Sequence, residues 1–285
     1  MCDVAQMPGD GCSPTCTCET DPCAFAVDNS VRLASVIAGL SAGASLSLKA
    51  GTYTDCAWTV ASLYGADQRP MTVRGQGPSL TIVDCNHVSE VFAGIVSGTW
   101  LNLEGIHFAN AQKSGGGGGL LHAKQGSHVV VSSCRVTRVA SDGDGGALMI
   151  SNSSLFVTDT HFEENSAEKG GALALVDGAR AVLTSSVFTS CFAQNGGAVY
   201  VARASTCALD MMLLSLNTAV ENKGGSILCE DRSTLNMTSC ILSNGYAVRG
   251  AAIMVQHNSL CGITGNVSIV GNTCSWWGVI YALVS

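Results

Sequence analysis

Charged residues, prolines and long apolar runs are all scarce in this chain of 285 residues. Charged side chains make up 12% of it, about half the usual share, and the formal net charge of -7 leaves no basic stripe to neutralise phosphates. We therefore exclude nucleic acid as a partner. Five prolines beside 33 glycines exclude a collagen-like or disordered tract. No apolar run is long enough to span a membrane, so we predict no transmembrane segment in this chain.

Cysteine, by contrast, is abundant, and this points to an oxidising compartment. Fourteen cysteines suit an extracellular or cell-surface protein better than a cytosolic one. Three sequons agree with that localisation and make Asn152, Asn236 and Asn266 candidates for glycosylation. The first residues lack the basic and apolar regions of a signal peptide. We therefore expect the chain to be a fragment, or an incomplete gene model, of a longer exported protein.

A glycine pair followed by a short apolar stretch recurs about every 25 to 28 residues, which is the period of a solenoid. Five copies keep both glycines: Gly118-Gly119, Gly145-Gly146, Gly170-Gly171, Gly196-Gly197 and Gly224-Gly225. Two degenerate copies follow at Gly250-Ala251 and Trp277-Gly278. The array stops inside the last apolar stretch, so we expect it to be truncated there.

Alignment of the copies predicts the path of one coil. The third position after the first glycine is always a large aliphatic: Leu121, Leu148, Leu173, Val199, Ile227, Ile253 and Ile280. The fifth position is also apolar. Apolar residues alternate with others again near positions eleven and thirteen, and a third apolar point follows further along each copy. Each repeat therefore contains three short strands joined by turns. Such coils, stacked in register, form an all-β, parallel β-helix.

The chain is predicted to divide into two parts. Residues 1–26 form a cysteine-rich head, and residues 27–285 form the β-helix, with a capping helix at about 30–40, early coils at 44–117 and Gly-Gly coils at 118–285. Ser30 is the expected N-cap of the helix, which would close the open end of the solenoid.

The head is expected to be held by disulfides among Cys2, Cys12, Cys16, Cys18 and Cys23. A zinc site is disfavoured, because Cys16 and Cys18 lack C-x-x-C spacing and no histidine lies nearby. Since five is odd, either Cys56 completes the set or Cys56 pairs with Cys85, one coil further on. Most cysteines of the repeats are expected to be buried free thiols.

The sequence resembles the right-handed parallel β-helix, pectin-lyase-like superfamily over residues 28–285. The stretch Leu48-Lys49-Ala50-Gly51-Thr52-Tyr53 is similar to the first coil of that superfamily, with Ala50 in place of the usual proline. The Gly-Gly-Ala corner followed by Phe162-Glu163-Glu164-Asn165 resembles the polymorphic outer membrane protein repeat. The broader resemblance implies the fold and, in many members, lyase, hydrolase or epimerase activity on polysaccharides. The narrower one implies an adhesin.

Candidate catalytic groups are sparse. The polygalacturonase signatures Asn-x-Asp, Gly-His-Gly and Arg-x-Lys are missing, and the six histidines are scattered, so we assign no catalytic residue and no cofactor. Asp142 and Asp144, with Asp159 and Glu163 from the next coil, form an acidic cluster. A solvated loop is the favoured interpretation of this cluster; the alternatives are a calcium site and, less favoured, a catalytic pair.

An outward column that includes Tyr200 and Tyr281 is a second candidate, since exposed aromatic rings bind sugars. Taken together, these features favour a non-enzymatic, extracellular or cell-surface β-helix repeat protein. Its expected role is adhesion, surface structure or the binding of a surface glycan or protein. The alternative is a polysaccharide-active enzyme, a lyase, hydrolase or epimerase.

Overall fold

The fold comes from a computed structural model that describes residues 24–29, 32–40, 42–60, 69–93, 95–221 and 223–283, with the side chains of 24–26, 95–97 and 277 left aside. The five cysteines of the predicted head lie outside these residues.

The described chain winds as a parallel β-helix, as the repeats predict, and its coils cross four sheets in turn. Sheet 1 has ten strands: Ala24–Val27, Ser45–Leu48, Met71–Arg74, Trp100–Glu104, His128–Ser132, Ser154–Thr158, Arg180–Thr184, Thr206–Asp210, Thr234–Thr238 and Leu260–Thr264. Sheet 2 has nine: Gly51–Tyr53, Thr81–Asp84, His107–Ala109, Arg135–Thr137, His161–Glu163, Val187–Thr189, Leu213–Ser215, Ile241–Ser243 and Ser268–Val270.

The other two sheets complete each coil of the repeat region. Sheet 3 has seven strands: Gln112–Lys113, Ala140–Ser141, Ser166–Lys169, Phe192–Asn195, Thr218–Ala219, Tyr246–Arg249 and Thr273–Trp277. Sheet 4 has eight: Ile95–Ser97, Leu121–Lys124, Leu148–Ser151, Leu173–Val176, Val199–Val201, Ile227–Cys229, Ile253–Val255 and Ile280–Ala282. The sequence predicted three strands per coil, and the strands of sheet 3 are the fourth, which it missed. These strands, such as Ser166–Lys169, lack the apolar alternation by which strands are recognised.

The core runs along the solenoid axis and is built from the aligned columns. Leu148 pairs in register with Leu121 on one side and Leu173 on the other, and all three are fully buried. Phe162 and Phe188 stack in adjacent coils of sheet 2, with ring centroids 4.7 Å apart. Because the inward side chains of each coil pack against those of the coils on either side, no coil has a complete core of its own.

Glycine is required at the corner between sheets 3 and 4 for a steric reason. Gly170 has a φ of +64°, a left-handed conformation that favours glycine. At Gly171 the limit is space, because a Cβ there would lie 2.3 Å from the carbonyl oxygen of Gly197. Adjacent coils approach so closely at this corner that a side chain would separate them.

The other corners are stabilised by short polar side chains that reach the preceding coil. Between sheets 2 and 3, buried Asn165 accepts a hydrogen bond from Val139 N at 2.9 Å and donates to Val136 O at 3.0 Å. Between sheets 4 and 1, Ser205 Oγ accepts from Ala179 N at 3.2 Å. The amide of Val139 lies in the turn, outside the paired strands, and Asn165 supplies its partner.

A short helix lies at the N-terminal end of the solenoid. Helix α1 spans Leu33–Ala38, shorter than the predicted 30–40, and its Leu33 and Ile37 are fully buried. Asp55 Oδ2 accepts a hydrogen bond from Ala34 N at 3.1 Å, which satisfies one free amide of the first turn. The predicted N-cap Ser30 lies outside the described residues. Sheet 1 begins at Ala24, inside the segment assigned to the head.

Candidate functional site

The most distinctive polar surface lies at the corner between sheets 4 and 1. Here several coils turn through two successive left-handed residues, for example Arg203 and Ala204 with φ values of 54° and 60°. The first residue of each such turn projects outward. In four successive coils it is Asp177, Arg203, Asp231 or His257, and we call these four side chains the corner row.

Acidic side chains are paired with basic ones along the corner row. Arg203 Nη1 lies 3.1 Å from Asp177 Oδ1, and His257 Nδ1 lies 3.2 Å from Asp231 Oδ1. These four side chains are about half exposed, at 46–50%. With Ala204, Arg232 and Asn258 they line an open pocket of about 500 Å³. The corner therefore offers both hydrogen-bond donors and acceptors to a ligand in solvent.

A largely buried carboxylate, that of Glu230, lies next to this pocket. Glu230, whose side chain is 13% exposed, accepts a hydrogen bond from the hydroxyl of Tyr200 at 2.8 Å and another from Gln256 Nε2. His257 Nδ1 lies 3.8 Å from the same carboxylate. Burial, and then the negative charge of Glu230, raise the pKa of Tyr200. Tyr200 therefore stays protonated and acts as a donor, not as a base.

The expected exposed aromatic column is wrong at Tyr200. Only 2% of Tyr200 is exposed, and it belongs to a second hydrophobic cluster on the outer face of sheet 4, with Leu228 and Met254. The Gly-Gly corner brings the chain back over that face, and a Cβ on Gly170 would lie 3.0 Å from Tyr200 Cβ. Lys169 Nζ also lies 5.2 Å from the centre of the tyrosine ring. Tyr281 packs partly buried against the same cluster.

The four carboxylates considered for calcium do not converge. Asp142 and Asp144 lie just before the Gly-Gly corner of their coil, whereas Asp159 lies between sheets 1 and 2 and Glu163 ends a strand of sheet 2. In the part of the chain that the structure describes, no group of three or more His, Cys, Asp and Glu side chains is placed to hold a metal ion. We expected these carboxylates to lie close together because they are near one another in sequence. The corners of one coil are, however, far apart in space.

Two of these carboxylates have fixed partners within the fold. Asp142 accepts hydrogen bonds from Gly115 N at 2.8 Å and Gly116 N at 3.2 Å, and these bonds lower the pKa of its carboxyl. Glu163 lies 2.6 Å from Arg135 Nη2, a hydrogen bond that lowers the pKa of Glu163.

The other two differ from each other. Burial raises the pKa of Asp144, and this outweighs the opposing effect of Lys169. Asp159 Oδ2 accepts a hydrogen bond from Thr158 Oγ1 at 3.2 Å. The four carboxylates therefore lie at three separate places, and Asp142, Glu163 and Asp159 have hydrogen-bond partners within the fold.

The cysteines that the structure describes fall into two classes. Cys56 and Cys85 form a disulfide, with Cα atoms 5.6 Å apart, so the structure has the second of the two pairings open to Cys56. Seven other described cysteines are free, and five of them are buried: Cys134, Cys191, Cys207, Cys229 and Cys240. Burial raises the pKa of the Cys134 thiol to about 12. Such thiols fill space in the core and are poor nucleophiles.

All three sequon asparagines lie on the surface. Asn152 occupies a left-handed turn with a φ of 46°, Asn236 stands in the middle of a strand on the outer face of sheet 1, and Asn266 lies in a turn of the last coil. Each side chain is exposed.

Sequence reasoning missed the corner row, although an alignment contains its signal. Asp177, Arg203, Asp231 and His257 all occupy the seventh position after the first residue of the glycine corner. That column alternates between acidic and basic residues, whereas the sequence predictions rest on the apolar columns and on clusters of like residues.

The comparisons with known proteins agree with this geometry. A family model described as "Right handed beta helix region" matches residues 93–275, and the chain belongs to that family. A solved PL6 family alginate lyase, AlyGC, superposes with a TM-score of 0.54 at 12% identity, over 94% of this chain and 41% of the lyase. That likeness concerns the fold alone.

Two further comparisons concern a solved structure and a longer sequence. The A-module of the mannuronan C-5 epimerase AlgE4 from Azotobacter vinelandii is 12% identical, with a TM-score of 0.35, over 90% of this chain and 95% of the module. The metabotropic glutamate receptor-like protein R of Dictyostelium discoideum is 29% identical over 133 residues, 46% of this chain. This chain matches only 8% of the length of that receptor-like protein. Among the described residues, no helix has the length and apolar character needed to cross a membrane.

Proposed function

We propose that this chain is a non-enzymatic β-helix segment of an extracellular or cell-surface protein, and that it binds a glycan or protein ligand at the corner row. The observation that carries the proposal is the open pocket lined by Asp177, Arg203, Asp231, Arg232 and His257. The row extends over four coils, three steps of about 4.8 Å, so it presents a linear surface of roughly 14 Å.

The state of the polar groups supports binding over catalysis. The carboxylates of Asp177 and Asp231 are each paired along the row, and Glu230 receives hydrogen bonds from two side chains. Tyr200 is held protonated, so it cannot abstract a proton. A surface with its charges already ordered binds a ligand with little loss of side-chain entropy.

The extracellular placement has separate support. The Cys56–Cys85 disulfide fits an oxidising compartment, and the three sequon asparagines are exposed. The relative named as a receptor-like protein also fits a protein at the cell surface, although this chain corresponds to a small part of it.

A polysaccharide-active enzyme is the second candidate, and one observation favours it. Asp231 holds His257 through Nδ1, which is how an acidic residue orients a catalytic imidazole whose Nε2 then acts as the general base. His257 lines the pocket, beside Arg232. The fold shared with a family of alginate lyases is compatible with such a role.

One experiment separates the two candidates. The purified chain would be screened against arrays of neutral and acidic glycans, and each ligand then incubated with the protein and analysed for cleavage or epimerisation. Arg232→Ala removes an exposed pocket guanidinium, and Arg180→Ala, an exposed arginine on sheet 1, is the matched control. We expect Arg232→Ala to weaken binding at least about tenfold, the effect of losing one charge-assisted contact, and Arg180→Ala to leave it unchanged.

The other outcomes are equally informative. New products that disappear in His257→Gln would replace the binding role with an enzymatic one. If the two arginine variants weakened binding equally, the ligand would lie elsewhere on the solenoid.

A further inference from the structure

The outer face of sheet 1 changes character along the solenoid. Its central outward column reads Val130, Phe156, Val182, Ala208 and then Asn236 in successive strands, in register. Phe156 is 48% exposed and Val182 41%. Two large apolar side chains therefore stand in solvent next to each other, and a sequon asparagine follows two strands further on.

The space around Asn236 is unusually open. Its register partners are Ala208 on one side and Gly262 on the other, the two smallest side chains of the column. A Cβ on Gly262 would lie 2.7 Å from Asn236 Oδ1, so a larger residue at position 262 would displace the amide. The neighbours thus leave room above the sheet for a bulky substituent on Asn236.

The amide of Asn236 leaves its nitrogen available for that substituent. Oδ1 of Asn236 lies over Gly262, so Nδ2, bonded to the same Cγ, does not occupy that position. Among the residues that the structure describes, none forms a hydrogen bond with Nδ2. The nitrogen that carries a sugar in glycoproteins is therefore free, and it belongs to the same register column as Val182 and Phe156.

We propose that Asn236 carries an N-linked glycan that lies along the outer face of sheet 1 and covers the apolar column of Phe156 and Val182. The inference rests on the extracellular placement proposed above. In the attachment step, Nδ2 forms a bond to the anomeric carbon of a lipid-linked oligosaccharide. The bond from that carbon to the lipid diphosphate breaks, and the amide loses one proton.

Distances and surface chemistry favour this arrangement. Val182 is two strands from Asn236 and Phe156 three, about 10 and 14 Å at a strand spacing of roughly 4.8 Å. The first sugars of a branched glycan reach over this span. Their C–H faces pack on apolar side chains, and this removes from water a patch that would otherwise favour association between molecules.

The test uses the full chain, secreted from a eukaryotic host behind a heterologous leader. Peptide mapping by mass spectrometry measures occupancy at each sequon, and an apolar fluorescent dye reports exposed apolar surface before and after enzymatic removal of the glycans. We expect Asn236 to be occupied, and dye fluorescence to rise severalfold on removal. In Phe156→Ser the rise should be largely lost, and Asn266→Gln, which removes an exposed sequon away from this column, should behave as wild type.

An unmodified Asn236 in the folded, secreted protein overturns the proposal, whether or not the other sequons are occupied. A modified Asn236 whose removal leaves dye binding unchanged overturns the covering role. Both results are independent of the corner row, because ligand binding there is measured on protein made without glycans. A failure of the proposed function therefore leaves the occupancy result standing.

Discussion

Replacing Asn217 by alanine tests the corner ladder that holds successive coils together. Asn217 is fully buried, its Oδ1 accepts a hydrogen bond from Cys191 N at 3.0 Å, and its Nδ2 donates to Phe188 O at 3.1 Å. Alanine leaves the buried amide of Cys191 without a partner and removes a second hydrogen bond from the Phe188 carbonyl, which lies in a strand paired with Leu213–Ser215. At about 1–3 kcal/mol for the unsatisfied amide and about 1 kcal/mol for the lost hydrogen bond, we expect a loss of roughly 2–4 kcal/mol in the free energy of unfolding.

Two measurements and a control make this prediction sharp. Urea unfolding gives the loss in stability, and hydrogen exchange at the Cys191 amide shows whether the damage begins at this corner. Asn236→Ala, in protein made without glycans, is the matched control, because that side chain is exposed and its loss should change stability by less than about 0.5 kcal/mol. If Asn217→Ala unfolds like the control and Cys191 keeps its protection, the ladder does not stabilise the solenoid.

Three further changes test other parts of the fold. Gly171→Ala should prevent close stacking of the coils and abolish soluble folded protein. Gly178→Ala, where φ is 78° and the space is open, should cost only about 1–2 kcal/mol of backbone strain. Equal yields of the two folded variants would refute the steric argument. Cys56→Ser removes a bridge to Cys85 across a sequence separation of 29, a loss of about 3–4 kcal/mol that should appear as faster proteolysis of the early coils. Burial lowers the pKa of His122 to about 4, so this residue should reduce the stability of the folded protein as the pH falls from 6.5 toward 4. His122→Met should remove that part of the acid sensitivity. Identical pH dependence of the melting temperature in the variant and the wild type would contradict this.

The inward half of the fold is predictable from the sequence because its positions are repeated. A residue such as Leu173 packs against the same column in the coils before and after it, so the column keeps its apolar character over the whole array. Glycine at the corner is equally constrained, because a Cβ on Gly171 would lie 2.3 Å from the carbonyl oxygen of the next coil. The strands of sheet 3 carry a weaker signal. Their inward column consists of small residues, such as Ala193 and Ala219, which do not stand out as an apolar pattern.

Outward positions are less predictable, because the sequence does not say what covers them. Tyr200 occupies an outward column and was expected in solvent, yet the chain that forms the Gly-Gly corner folds back over it. The expected clustering of the four carboxylates was wrong for a related reason. Asp142 and Asp159 are close in sequence, but a coil of this size separates its corners in space, so proximity along the chain says little about convergence.

The corner row shows where structure and function become hard to separate. Side chains at this corner stack at about 4.8 Å, and like charges at that distance repel, so stability alone favours alternation such as Asp177, Arg203 and Asp231. The pairing within the row therefore does not by itself indicate a ligand. Arg232 differs, since among the described residues none forms an ion pair with it although it lines the same pocket. An unpaired guanidinium adds nothing to the ladder of charges, and for that reason Arg232 is the residue on which the binding proposal depends.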